Sequence, residues 1–288
     1  MRFAVLLLLL TTSAQAENTF WPHWSDGKAE LNGYELVQPR YGELRRGRAV
    51  LIFVTEPFSK SKSVKVNQYN PNDPDQFNAL KLNAVRKFQT GVYDYSVMTS
   101  VFVDPARDFA PAKVSFSSQE WCGHVFEDAR FGSDASVRIN SYFEGETVDE
   151  TLPVTAAEDA LFITLRSLAH ADLKADDTTI QALPSALDRR LLHKPATPAA
   201  INIRWSMPGV TTVPAGSFPT RTATWNRGIG GECSADVELA YPHRIIGWRC
   251  DGGEVAKLVG SERIPYWQTH KEGDEVLLKK LGLERQAP

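Results

Sequence analysis

The feature that most limits what this chain can fold into is a period-two alternation of apolar and polar residues, repeatedly interrupted by Gly, Pro, Asn and Asp. Successive side chains on a strand point to opposite faces, so such alternation marks strands with one face buried and one in water. That is the pattern of antiparallel sheets rather than of βαβ units. The predicted strands are Glu30 to Val37, Arg48 to Thr55, Leu80 to Phe88, Tyr93 to Val103, Lys113 to Trp121, Val137 to Phe143, Ala200 to Trp205 and Thr222 to Trp225. In the seventh, Ile201, Ile203 and Trp205 share one face while Asn202 and Arg204 share the other. The expected fold is mainly β: an antiparallel curved sheet or open barrel with a few accessory helices.

Helical signals are few. Thr155 and Glu158 have capping-box spacing, and Leu161, Leu165 and Leu168 follow on one face, which predicts a helix running to about His170. A second helical turn is expected around Ser185 to Leu192. A third is capped by Asp274, carries Val276, Leu277, Leu278 and Leu281, and is ended by Gly282. Residues 62–78 hold two prolines among Asn and Asp and read as a long loop.

The first residues, MRFAVLLLLLTTSAQA, place Arg2, an apolar run from Phe3 to Leu10 and small residues at Ala14 and Ala16 in the order of a secretory signal peptide. Cleavage after Ala16 would leave residues 17–288 as a single β-rich domain, with a possible subdivision in the proline-bearing stretch 171–198. The expected location is the bacterial periplasm or the exterior. The apolar run is too short for a permanent membrane anchor, and no second one follows, so a soluble product without a transmembrane segment is expected. The chain carries 32 basic and 35 acidic residues. Its basic residues are scattered and outnumbered, which argues against nucleic acid as a partner. Protein partners are not specified by these features.

Three cysteines are present. If the arms around Tyr241 to Arg244 pair as a hairpin, Cys233 meets Cys250, Ala235 meets Trp248 and Val237 meets Ile246 on one face. A Cys233–Cys250 disulfide is therefore expected in an oxidising compartment.

Cys122 is left over, within SFSSQEWCGHVF. Read as one strand from Lys113 to Phe126, this stretch puts Phe116, Glu120, Cys122 and His124 on one face and Trp121 on the other. Two readings follow. Cys122 and His124, with Glu120, could form a catalytic or metal-binding row, as in a secreted hydrolase or metal-dependent enzyme. Neighbours on one strand face lie about 6.6 Å apart, so proton transfer would need a bulge at Gly123. Zinc would need further ligands, and His23, His170, His193, His243 and His270 show no ligand spacing. The blander reading is an interior strand in which Phe116, Glu120, His124 and Trp121 line the inside of an open barrel around an apolar or amphiphilic ligand, such as a lipid. This second reading is preferred, with no cofactor and no metal.

Other constellations are weaker. Trp21 and Trp24 flank His23 and are expected to tuck over a barrel mouth. Gly228, Gly230 and Gly231 precede a strand rather than opening a helix, so they do not form a nucleotide loop. Asp149 and Glu150 have no second acid placed by spacing to complete a glycosidase pair.

The segment WPHWSDGKAELNGYELVQPRYGELRRGRAVLIFVTEPFS, together with VSFSSQEWCGHVF, resembles the opening half of a family of uncharacterised exported bacterial proteins. Tyr266, Trp267 and Leu281 to Leu283 extend the resemblance over most of the mature chain. It implies an export route and a β-rich architecture, and it supplies no catalytic residues.

Overall fold

The structure, a computed structural model, describes residues 19–283; the expected signal peptide lies outside the described residues. The alternating segments become β1 (Ala29–Arg40), β2 (Glu43–Ser59), β3 (Val64–Lys65), β4 (Gln76–Thr90), β5 (Tyr93–Asp104), β6 (Ala110–Glu120), β7 (Gly123–Phe131), β8 (Ala135–Ser141) and β9 (Val148–Leu152). The second half supplies β10 (Ala156–Ala157), β11 (Thr178–Leu183), β12 (Ala199–Trp205), β13 (Gly209–Val213), β14 (Gly216–Asn226), β15 (Glu232–Glu238), β16 (Ile245–Cys250) and β17 (Glu254–Ile264). All eight predicted strands have a counterpart in this set. The predictions Lys113 to Trp121 and Val137 to Phe143 run past the observed ends at Glu120 and Ser141, and most strands extend further than predicted on at least one side.

The strands make one continuous sheet. From β9 the hydrogen-bonded path runs through β8, β7, β6, β5, β4 and β2 to β1. It continues through β17, β16, β15, β14, β12 and β11 to β10. Short strands β3 and β13 flank this path on β2 and β14. Every pairing is antiparallel except the two-residue contact of β10 with β11. The sheet curls as a barrel would but does not close: no ladder joins β9 to β10 among the described residues, although only Pro153 to Thr155 separate them in sequence.

The inward faces of strands from both halves build one core, including Leu36, Leu51, Leu82, Val101, Val114, Ala129, Val137, Ile201, Ala223, Ala235, Trp248 and Leu258. The barrel is filled from within by the segment after β10, whose Leu161, Ile163, Leu165 and Leu168 are buried. This segment is not the long helix the capping-box spacing predicts. It holds a 3-10 turn at Glu158–Ala160, a short helix α2 at Leu161–Thr164, and a positive φ at Ser167 that stops further winding. The Glu158 carboxylate, needed for the capping box, instead accepts from Trp225 Nε1 at 3.1 Å and the Ser185 amide at 3.1 Å. Tertiary bonds thus outcompete the local helix cap.

Arg166 anchors the same segment. Its fully buried guanidinium donates from Nη2 to Glu30 Oε2 and to the Pro242 carbonyl, both at 2.9 Å, and from Nε to the His243 carbonyl at 3.1 Å. The N-terminal helix α1 (Phe20–Trp24) buries Phe20 and Trp24 completely, with Trp24 against Phe53. Trp21 stays partly exposed, so one of the two indoles covers the core and the other does not.

Cys233 and Cys250 face each other in the β15–β16 ladder and are joined as a disulfide. Ala235 pairs with Trp248, but beyond Asp236 a bulge shifts the register, so Val237 faces Ile245 rather than Ile246. At the C-terminus a 3-10 helix, Asp274–Leu281, ends at Gly282. Its N-cap position is Gly273, while Asp274 Oδ2 accepts from the Lys271 amide. This helix lies so close to β1 and β17 that a Cβ on Gly33 or Gly260 would sit 1.9 Å from the carbonyl oxygen of Leu281 or Lys280. Among the described residues no helix is long and apolar enough to cross a membrane.

Candidate functional site

Facing β8 and β9 near the unclosed seam lie α3 (Ala186–Leu192) and the segment that follows it to β12. Ser185 caps the helix, its hydroxyl accepting from the Asp188 amide. Asp159, from the interior segment, fixes the same end by accepting from Ser185 Oγ at 3.1 Å and the Ala186 amide at 3.0 Å. The spacing of Leu187 and Leu191 puts both on the inward face, against Phe88, Tyr95, Val97, Phe116 and Val125. His193 ends the helix in the left-handed region, and the chain continues through Pro195 and Pro198.

Between this cover and the β8–β9 edge lies an open cleft of about 570 Å³. Its walls are mixed: Phe116, Val125, Ile139, Val148, Leu152, Ala186, Pro195, Ala196 and Pro198 form the apolar part, and Glu127, Glu144, Glu146, Glu150, Arg189, Arg190, His193 and Lys194 most of the rest. Arg189 Nη2 bonds both oxygens of Glu127. His193 Nδ1 bonds Glu146 Oε1 at 2.5 Å, and Glu146 also accepts from Ser141 Oγ.

Arg190 is different. Its side chain is 3 % exposed, yet Nε and Nη1 have no hydrogen-bond partner, and Nη2 comes no closer than 3.7 Å to Glu120 Oε1. Its guanidinium carbon lies 4.1 Å from the centre of the Phe143 ring. Burial, then the neighbouring Arg40, push the Arg190 guanidinium below its ordinary pKa.

One cavity of roughly 60 Å³ is lined by Glu158, Asp188, Glu254, Arg86, Trp248 and the disulfide among others. That is room for a few waters and far below the 300 Å³ or so of a small-molecule pocket. Burial, followed by the neighbouring Asp188, raises the Glu158 carboxyl to about 7. Burial likewise raises Asp188 and Asp159.

The predicted site residues do not stay together. Phe116 and Glu120 face inward; Phe116 lines the cleft, and Glu120 stands beside Arg190. The strand, however, ends at Glu120. Glu120 pairs with Gly123 across a two-residue turn made of Trp121 and Cys122, so the face parity reverses. His124 pairs with Gln119 and is exposed on the other face, and Trp121 is exposed at the tip. The expected row of Glu120, Cys122 and His124 on one strand face therefore does not form. Cys122 is an exposed thiol whose amide donates to Glu120 Oε2 at 2.7 Å. A hydrogen bond of the thiol itself to Glu120, then desolvation, pushes its pKa above the ordinary value, opposite to what a nucleophile needs. Among the described residues no group of three or more His, Cys, Asp and Glu is placed to hold a metal ion.

The sequence reading missed Arg189 and Arg190. In ALDRRLL both look like the solvated face of a short helix, and only the Leu187–Leu191 spacing beside them hinted that the whole turn is covered.

The sequence matches no protein-family model and no curated protein. Among solved structures it is similar to a beta-barrel-like protein of a domain of unknown function, DUF1849, from Brucella abortus. The TM-score is 0.51 at 12% identity, over 82% of this chain and 98% of that one. That likeness shows a shared barrel-like fold and no more. A protein with a YmcC-like fold from Bacteroides fragilis aligns with a TM-score of 0.25 at 11% identity, over 81% of this chain and 95% of that one, which is too low to carry an argument.

A second cleft, of about 530 Å³, opens near Phe109, Pro111, Leu165, Ile203 and Trp205. It too has an apolar wall, but no buried charged side chain without a partner faces it. Ligand sites combine apolar walls with a few converging polar groups, which favours the cleft beside α3.

Proposed function

We propose that this is an exported envelope protein of the bacterial periplasm or exterior that binds an apolar or amphiphilic ligand in the cleft between α3 and the β8–β9 edge. The observation that carries the reading is the cleft itself: about 570 Å³, within the size range of ligand sites, with an apolar wall beside charged side chains. The disulfide fits an oxidising compartment. The strand residue Phe116 keeps the binding role suggested by the sequence, now in a cleft at the seam instead of a barrel lumen. Catalysis by Cys122 and His124 is not adopted, because a raised thiol at a hairpin turn is a poor nucleophile.

Native mass spectrometry of the mature protein, before and after denaturation, tests this reading. A bound amphiphile released on denaturation is expected, and Ile139→Trp, which fills the cleft, should reduce its occupancy about tenfold or more. A bare polypeptide that also fails to take up lipid probes after delipidation would exclude ligand binding as its function.

A further inference from the structure

We infer that the ligand carries an anionic headgroup, a carboxylate or a phosphate, held by Arg190 at the charged part of the cleft. This rests on the cleft being the binding site. A guanidinium has five N–H donors and no means of becoming neutral at ordinary pH. Taking it out of water without hydrogen bonds costs free energy, so a buried Arg is normally paired and bonded. Arg189, its neighbour in sequence, follows that rule: Nη2 lies 2.6 and 2.8 Å from the two oxygens of Glu127 and Nε donates to the Pro184 carbonyl.

Arg190 breaks the rule. Nε and Nη1 are buried with no partner, and the Glu120 carboxylate at 3.7 Å is beyond hydrogen-bonding distance. Of the other acids around the cleft, Glu144 and Glu150 are exposed and neither pairs with Arg190 among the described residues. Glu127 is held by Arg189, and Glu146 is engaged by His193 and Ser141. Glu120 gives Oε2 to the Cys122 amide. Nearby, Arg40 bonds Tyr95 Oη, Tyr41 Oη and the Leu191 carbonyl, and no carboxylate among the described residues pairs with it. Arg40 thus adds a second positive charge beside Arg190, set against the carboxylates of Glu146 and Glu120, and favours an incoming anion over a cationic group. The apolar wall then lies beside the headgroup position, where a hydrocarbon chain attached to that anion would run.

The test compares four probes with one chain length, dodecanoate, dodecyl phosphate, dodecanol and dodecyltrimethylammonium. Each is titrated calorimetrically into delipidated mature protein below its micelle concentration. Both anions are expected to bind at least about tenfold more tightly than dodecanol, and the cation most weakly. Arg190→Gln should erase that preference while leaving dodecanol binding within about twofold, which also reports that the variant is folded. Tighter binding of the carboxylate points to a fatty acid, and of the phosphate to a phospholipid-type headgroup. Wild-type protein that binds dodecanol as tightly as the anions overturns the headgroup assignment and leaves the cleft reading intact. Protein that binds none of the four overturns both. A preference that survives in Arg190→Gln overturns the role of Arg190.

Discussion

Arg189 Nη2 sits 2.6 and 2.8 Å from the two carboxylate oxygens of Glu127, both side chains about 3 % exposed, so a single buried ion pair fastens α3 to β7. Removing one partner leaves the other charge buried and uncompensated. Arg189→Ala is therefore expected to destabilise the protein by about 3–5 kcal/mol in urea unfolding. Replacing the pair together, Arg189→Met with Glu127→Leu, should cost much less. A double variant as unstable as the single one would show that the pair does more than balance two charges.

The Cys233–Cys250 bridge closes a loop of 17 residues' separation within the β15–β16 ladder. Chain-entropy arguments give it on the order of 3 kcal/mol. Cys233→Ser with Cys250→Ser should lower the unfolding free energy by that amount, and dithiothreitol should lower the melting temperature of the wild type but not of the double variant. An unchanged melting temperature in the variant would show that the ladder alone holds this corner.

Glu158 keeps its proton up to about 7 in the fold, through burial first and Asp188 second, against an ordinary value of 4.5. Between those limits the folded chain binds more proton than the unfolded chain, so stability falls as pH rises from about 4.5 to 7 and levels off above. Relative to Glu158→Gln, the wild type should lose up to about 3 kcal/mol across that window. Carboxyl NMR should show the Glu158 resonance titrating near 7. A midpoint in the ordinary carboxylate range would remove the effect.

Cys122 is exposed but held protonated by Glu120, followed by a small contribution from desolvation. Alkylation by iodoacetamide at neutral pH should be slower than for a free thiol, and Glu120→Gln should speed it. Cys122→Ser should leave ligand uptake unchanged. Rapid labelling at pH 7 with no response to Glu120→Gln would mean the carboxylate does not control the thiol.

How far the sequence led depends on which forces decide each element. The strands were legible because alternation reports one-sided burial directly, as in Ile201, Ile203 and Trp205. The cysteine register was legible up to Asp236, where a bulge that no residue type announces moves Val237 onto Ile245. The turn at Trp121 and Cys122 was not legible, because neither residue is a turn former; extending the strand through it placed His124 on the wrong face. The segment from Glu158 to Leu168 looked helical, yet its acid and Arg166 bond to distant partners and hold it mostly unwound. Arg190 is invisible for the same reason: its surroundings come from β6, the β8–β9 connection and β1, none of them near it in sequence.

An unclosed sheet leaves two rows of unsatisfied backbone groups, the usual template for strand-by-strand self-association. Here one rim is β9, five residues long with Asp149 and Glu150 in its middle, and the other is the two-residue β10, largely buried, beside the short β11. A second copy approaching either row would find little backbone to extend, and on β9 it would meet two acidic residues. The open barrel thus keeps its gap without offering its neighbours a seam to polymerise along.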